Sequence, residues 1–76
     1  MPRLTPVHWR RLVCVFERDG FTIARQEGDH VIMTRQDCLR PLVIPQYRDI
    51  PVFIIRNNLR TAGMSRERYF QLLSGC

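Results

Sequence analysis

One short run of this chain couples a tight turn to a side chain that can move protons: Gly28-Asp29-His30. An imidazole exchanges protons near neutral pH and acts as a general base when a substrate hydroxyl lies within reach. Strand alternation puts His30 on one face with Ile32 and Thr34, while Val31 and Met33 point the other way. If Val31 and Met33 meet the helices, His30 stands on the open face of a sheet. Taken alone, a histidine beside a turn reads as a plain surface residue. His8 falls in the first turn of the first helix, where capping or exposure accounts for it. Paired carboxylates, a phosphate-cradling glycine loop, a dinucleotide fingerprint, an H-E-x-x-H run and a Ser-His-Asp set do not occur.

The remaining reactive types point away from metals and disulfides. Cys14, Cys38 and Cys76 are odd in number and far apart, with no C-x-x-C pair. They predict neither a disulfide framework nor a zinc site, and no metal or cofactor is expected. Cys14 reads as a small buried hydrophobe, Cys38 as a turn residue and Cys76 as part of a terminus. The basic residues say more. All twelve are arginine, against seven acidic residues, for a net charge of +5. Guanidinium groups grip phosphate with two parallel hydrogen bonds and stack on bases, so this balance suits a nucleic acid or an acidic protein.

Length limits what can position these groups. Seventy-six residues make a single domain, read here as 1–76. A chain of this size buries about 60% of its unfolded surface around one core. The longest apolar run, Leu12 to Phe16, is far shorter than the roughly 20 residues of a membrane span. No apolar signal core precedes it, so a cytoplasmic protein with no membrane attachment is expected.

Thr5-Pro6 predicts a helix start, with threonine as the cap and proline in first position, giving a helix over 6–18. Trp9, Leu12, Val13 and Phe16 form its apolar stripe, and Gly20 ends it. From Phe21 the period becomes two: Phe21, Ile23 and Arg25 share one face of a half-buried strand. Glu27-Gly28-Asp29 turns the chain into a return strand, His30 to Arg35. Gln36-Asp37-Cys38 turns it again into Leu39–Ile44, closed by Pro45. Proline has no N–H for a ladder, so Pro41 and Pro45 make this third strand an edge or shorten it. Asp49 and Pro51 predict the cap and first turn of a second helix that buries Val52, Ile55, Leu59 and Ala62 and stops at Gly63. Ser65 caps a short final helix through about Leu73. A protein-interaction domain would expose Trp9, Tyr47 and Phe53 as anchors, but Trp9 and Phe53 are expected in the core. The predicted class is α+β: α-β-β-β-α plus a short C-terminal helix, with a three-stranded antiparallel sheet covered on one face. That order resembles the double-stranded-RNA-binding fold.

Gly20-Phe21 followed by Arg25-Gln26-Glu27-Gly28-Asp29-His30 resembles the central motif of the HicA family of toxin ribonucleases. Val43-Ile44-Pro45, Ile55-Arg56, Leu59-Arg60 and Ala62-Gly63-Met64-Ser65 continue the likeness, from about Val7 to Leu73. The resemblance implies an endoribonuclease toxin that cleaves mRNA and is held inactive by a HicB-like antitoxin; the lack of metal ligands makes the expected reaction metal-independent, and the +5 charge predicts an acidic antitoxin surface. His30 matches the family's catalytic histidine, and Gly28 the glycine that shapes the turn before it. Asp29 stands where serine is usual, Val31 where a second histidine is frequent, and Phe53-Ile54 where many members have Gly-Thr. Arg25, Arg35, Arg56 and Arg60 are the arginines expected to meet RNA. The alternative is a non-catalytic RNA-binding or protein-interaction module of the same fold, which gives His30 no role.

Overall fold

The computed structural model describes residues 2–76. Helix α1 (Trp9–Arg18) leads into strands β1 (Thr22–Glu27), β2 (His30–Arg35) and β3 (Cys38–Pro45), followed by helices α2 (Val52–Ala62) and α3 (Arg66–Leu73). The strands form one antiparallel meander in the order β1-β2-β3. This is the expected α+β architecture, with the proline-bearing strand at an edge. No helix among the described residues is long and apolar enough to cross a membrane.

The core lies between the sheet and the helices. Leu12, Val15 and Phe16 of α1 meet Val31 and Met33 of β2, Leu42 and Ile44 of β3, and Ile55 and Leu59 of α2. Full burial of each such side chain stabilises the fold by about 1.5–3 kcal/mol. Phe16 and Phe21 pack edge to face with ring centroids 5.7 Å apart. That contact locks the chain where Gly20, at φ 96°, turns it from α1 toward β1. Tyr69 of α3 is buried and its hydroxyl finds no partner among the described residues. Burial pushes the phenol above its ordinary value, against a weaker opposing pull from Arg11, so the fold holds the neutral form.

Several local expectations are corrected. Thr5-Pro6 does not start α1: His8 is the cap, its Nδ1 accepting from the Arg10 N–H at 3.1 Å. Tertiary pairing overrides the threonine–proline signal there. Ile50 donates to the Val7 carbonyl at 2.8 Å and Trp9 to that of Tyr47 at 3.1 Å, which keeps the preceding segment out of the helix. Pro51, not Asp49, occupies the cap position of α2, with no side-chain hydrogen bond. The ends at Gly63 (φ 68°) and Ser65, whose hydroxyl accepts from Arg68 N–H, are as expected. Strand β1 is exposed along its whole length instead of half-buried, because the helices pack against β3 and leave β1 largely uncovered. Trp9 is only partly buried, and Phe53 is exposed at 61% because it lies off the face that carries Ile55 and Leu59.

The largest correction concerns the cysteines. Cys14 and Cys76 form a disulfide, their Cα atoms 6.0 Å apart across 62 positions of sequence. Helix α3 runs back along α1, and Arg11 donates to the Leu73 carbonyl at 3.1 Å, which brings the two sulfurs together. Only Cys38 is free.

Candidate active site

The β1–β2 hairpin places His30, and its turn is fixed from three directions. Gly28 adopts φ 58°, a left-handed conformation that costs other residues strain. A side chain there would meet nothing within 4 Å, so the glycine serves the backbone and not the space. The Gln46 N–H donates to the Asp29 carbonyl at 2.8 Å, extending the ladder past Pro45. The Gln26 side-chain amide donates to the Gly28 carbonyl at 3.3 Å and to the Gln46 side chain at 3.2 Å. Gln26 lies within the Arg25–His30 run that carries the family resemblance, whereas Gln46 belongs to no motif in the sequence.

Val31 and Met33 are buried against the helices, so His30 lies on the opposite face, its side chain 41% exposed. Directly across from it are Glu27 on β1 and Pro45 on β3. Ile32, next on that face, is buried between its register partners Arg25 and Val43. The Asp29 carboxylate lies 3.0 Å from His30 Nδ1. Nδ1 is thus the ring nitrogen beside the carboxylate, and Nε2 the one without that neighbour.

A bulge decides where Arg25 points. Ile23 pairs with Met33 but Arg25 with Ile32, so Ala24 is the extra residue. One inserted residue reverses the alternation and moves Arg25 away from the face of Ile23, onto that of His30. There it is a diagonal neighbour of His30 and is ion-paired to Glu27. Simple alternation had grouped Ile23 with Arg25.

The other three arginines separate. Arg56 and Arg60 are exposed on α2. Arg35 is at the far end of β2 from His30, and its guanidinium is committed. It donates to Asp19 Oδ2 at 2.8 Å, to the Asp19 carbonyl at 2.9 Å and to Asp37 Oδ1 at 2.6 Å. It also lies over the Phe21 ring, 4.4 Å from its centroid. Burial acts to lower its pKa, but hydrogen bonds to Asp37 and Asp19 outweigh this and hold it above the ordinary arginine value. Arg35 is therefore an anchor between the sheet and the end of α1, not a free phosphate ligand. Arg35→Met should destabilise the domain by about 1.5–3 kcal/mol, as expected for lost charged hydrogen bonds. Urea unfolding measures this, and a loss under about 0.5 kcal/mol would remove the anchor role.

His30 also closes one end of a groove of about 350 Å³ between β3 and α2. Pro41, Val43 and Pro45 form one wall and Tyr47 joins them. Ile54, Asn57, Asn58 and Thr61 form the other. Asn58, buried in α2, donates to the Val43 carbonyl at 3.5 Å and fastens the helix along the strand edge. Period-based reading of α2 sees only its apolar stripe, so these amides were missed.

A family model described as HicA toxin of bacterial toxin-antitoxin matches residues 9–64, from the start of α1 to just beyond α2. No curated protein matches the chain. The matched span contains the hairpin, the groove and Arg25, Arg35, Arg56 and Arg60.

Proposed function

Because the chain belongs to the HicA toxin family, and is thus the toxin of a toxin–antitoxin pair, we propose that it is a metal-independent endoribonuclease acting on mRNA through His30. The observation that carries this reading is the half-exposed imidazole on the sheet face opposite Val31 and Met33, with a carboxylate at Nδ1 and its second nitrogen available. In the proposed reaction Nε2 takes the proton of an RNA 2′-hydroxyl, directly or through one water. The O2′–P bond forms, the P–O5′ bond breaks, and the departing 5′-oxygen is protonated by solvent. The products are a 2′,3′-cyclic phosphate and a 5′-hydroxyl. Negative charge developing on the non-bridging oxygens of the phosphorane is met by Arg25, which shares the face of His30. Arg56 and Arg60 supply further contacts to the RNA backbone from α2. An acidic antitoxin covering the hairpin would exclude RNA without a change of fold.

The nucleophile comes from the substrate, so the scheme asks for no metal-bound water. No cluster of three or more His, Cys, Asp or Glu that could hold an ion occurs among the described residues. Cleavage of a labelled mRNA should therefore proceed at an unchanged rate in excess EDTA. Activity lost in EDTA and restored by a divalent ion would overturn the metal-free scheme.

A further inference from the structure

We propose that the groove beside His30 is a nucleobase subsite, in which Tyr47 stacks on the base flanking the cleaved phosphate and Asn57 reads that base's edge. The proposal rests on the ribonuclease reading for the identity of the adjoining reaction, but the binding it describes can be measured without any cleavage.

The groove, at about 350 Å³, falls in the range of small-ligand sites. Its walls are mostly apolar, through Val43, Pro41, Pro45 and Ile54, which suits the faces of a flat ring. Tyr47 is 43% exposed although it is tied at both ends of its peptide unit. Its N–H donates to the Pro45 carbonyl at 2.8 Å, and its own carbonyl accepts from Trp9 at 3.1 Å. A ring presented from a fixed backbone loses little freedom on stacking.

The two asparagines of α2 divide the work. Asn58 is spent on the Val43 carbonyl, whereas the exposed Asn57 amide makes no hydrogen bond among the described residues. A carboxamide offers donors and an acceptor side by side, which complements the donor–acceptor edge of an unpaired base. Arg60 lies three positions further along, on the same side of the helix as Asn57, where a phosphate could be met. A single-stranded nucleotide is favoured over an apolar peptide because the groove joins a free amide to His30 in a chain of net charge +5.

The test is an NMR titration of the intact protein with the four nucleoside 5′-monophosphates and with ribose 5-phosphate. The nucleotides should shift the amides of Tyr47, Asn57 and Thr61, and ribose 5-phosphate should not. Tyr47→Ala should weaken all four nucleotides by about tenfold, the cost of a lost stacking platform. Tyr47→Leu, which keeps apolar bulk without a flat ring, should weaken them similarly. Asn57→Ala should level the differences among the bases. Equal shifts from ribose 5-phosphate, or shifts confined to other surfaces, would overturn the subsite. So would a groove that responds to an antitoxin peptide but to no nucleotide. Failure of the protein to cleave RNA would instead count against the ribonuclease reading, leaving the titration result standing on its own.

Discussion

His30→Ala should lower RNA cleavage by about 10²–10⁴-fold, the usual worth of a general base, and abolish toxicity. Its melting temperature should stay nearly unchanged. The two halves of this expectation have separate causes. The imidazole is half-exposed and contributes nothing to the core, while Gly28, Gln26 and Gln46 hold the turn through backbone and amide contacts that survive the substitution. A non-catalytic module would show no cleavage in either protein, so the wild-type rate separates the two readings. Cleavage that persists in purified His30→Ala protein would remove His30 from the chemistry. The same variant should retain RNA while cleaving it far more slowly. Labelled RNA bound to it should be displaced by an acidic antitoxin, and a stable ternary complex would show that inhibition works elsewhere.

The second large effect is on stability. The Cys14–Cys76 bond closes a loop of 62 positions, and a cross-link of that span typically contributes about 2–4 kcal/mol. Domains of this size commonly retain only about 3–5 kcal/mol from their core, so the bond is comparable with everything else combined. Reduction should lower the melting temperature by roughly 10–25 °C. Cys14→Ser and Cys76→Ser should melt where the reduced protein does and should ignore reductant. Cys38→Ser should behave as wild type, since Cys38 is free. Reduced and oxidised proteins that melt together would show that the bond contributes nothing.

What could be read from the residues was local. Gly28 before His30, the alternation of Val31 and Met33, Gly63 and Ser65 each act within a few positions, and all are found where their chemistry requires them. The element order followed, and with it the placement of His30 on the face opposite Val31 and Met33. What escaped was set by distant partners. The disulfide depends on α3 returning along α1, which no spacing of cysteines reveals. Arg35 resembles any basic strand residue until Asp19, Asp37 and Phe21 surround it. A single bulge at Ala24 reassigned Arg25 to the face of His30, because alternation has no tolerance for an inserted residue. The groove arises from α2 lying along the edge of β3, so its asparagines acquire meaning only after the helix is docked.

If His30 activates the RNA's own 2′-hydroxyl, the substrate can be altered to show it. An RNA oligonucleotide carrying a single 2′-deoxyribose at a mapped cleavage position lacks only the proposed nucleophile. Cleavage at that linkage should disappear while binding is kept, and the all-ribose control should yield 2′,3′-cyclic phosphate ends. Cleavage of the deoxy linkage at the control rate, leaving a 5′-phosphate, would contradict it.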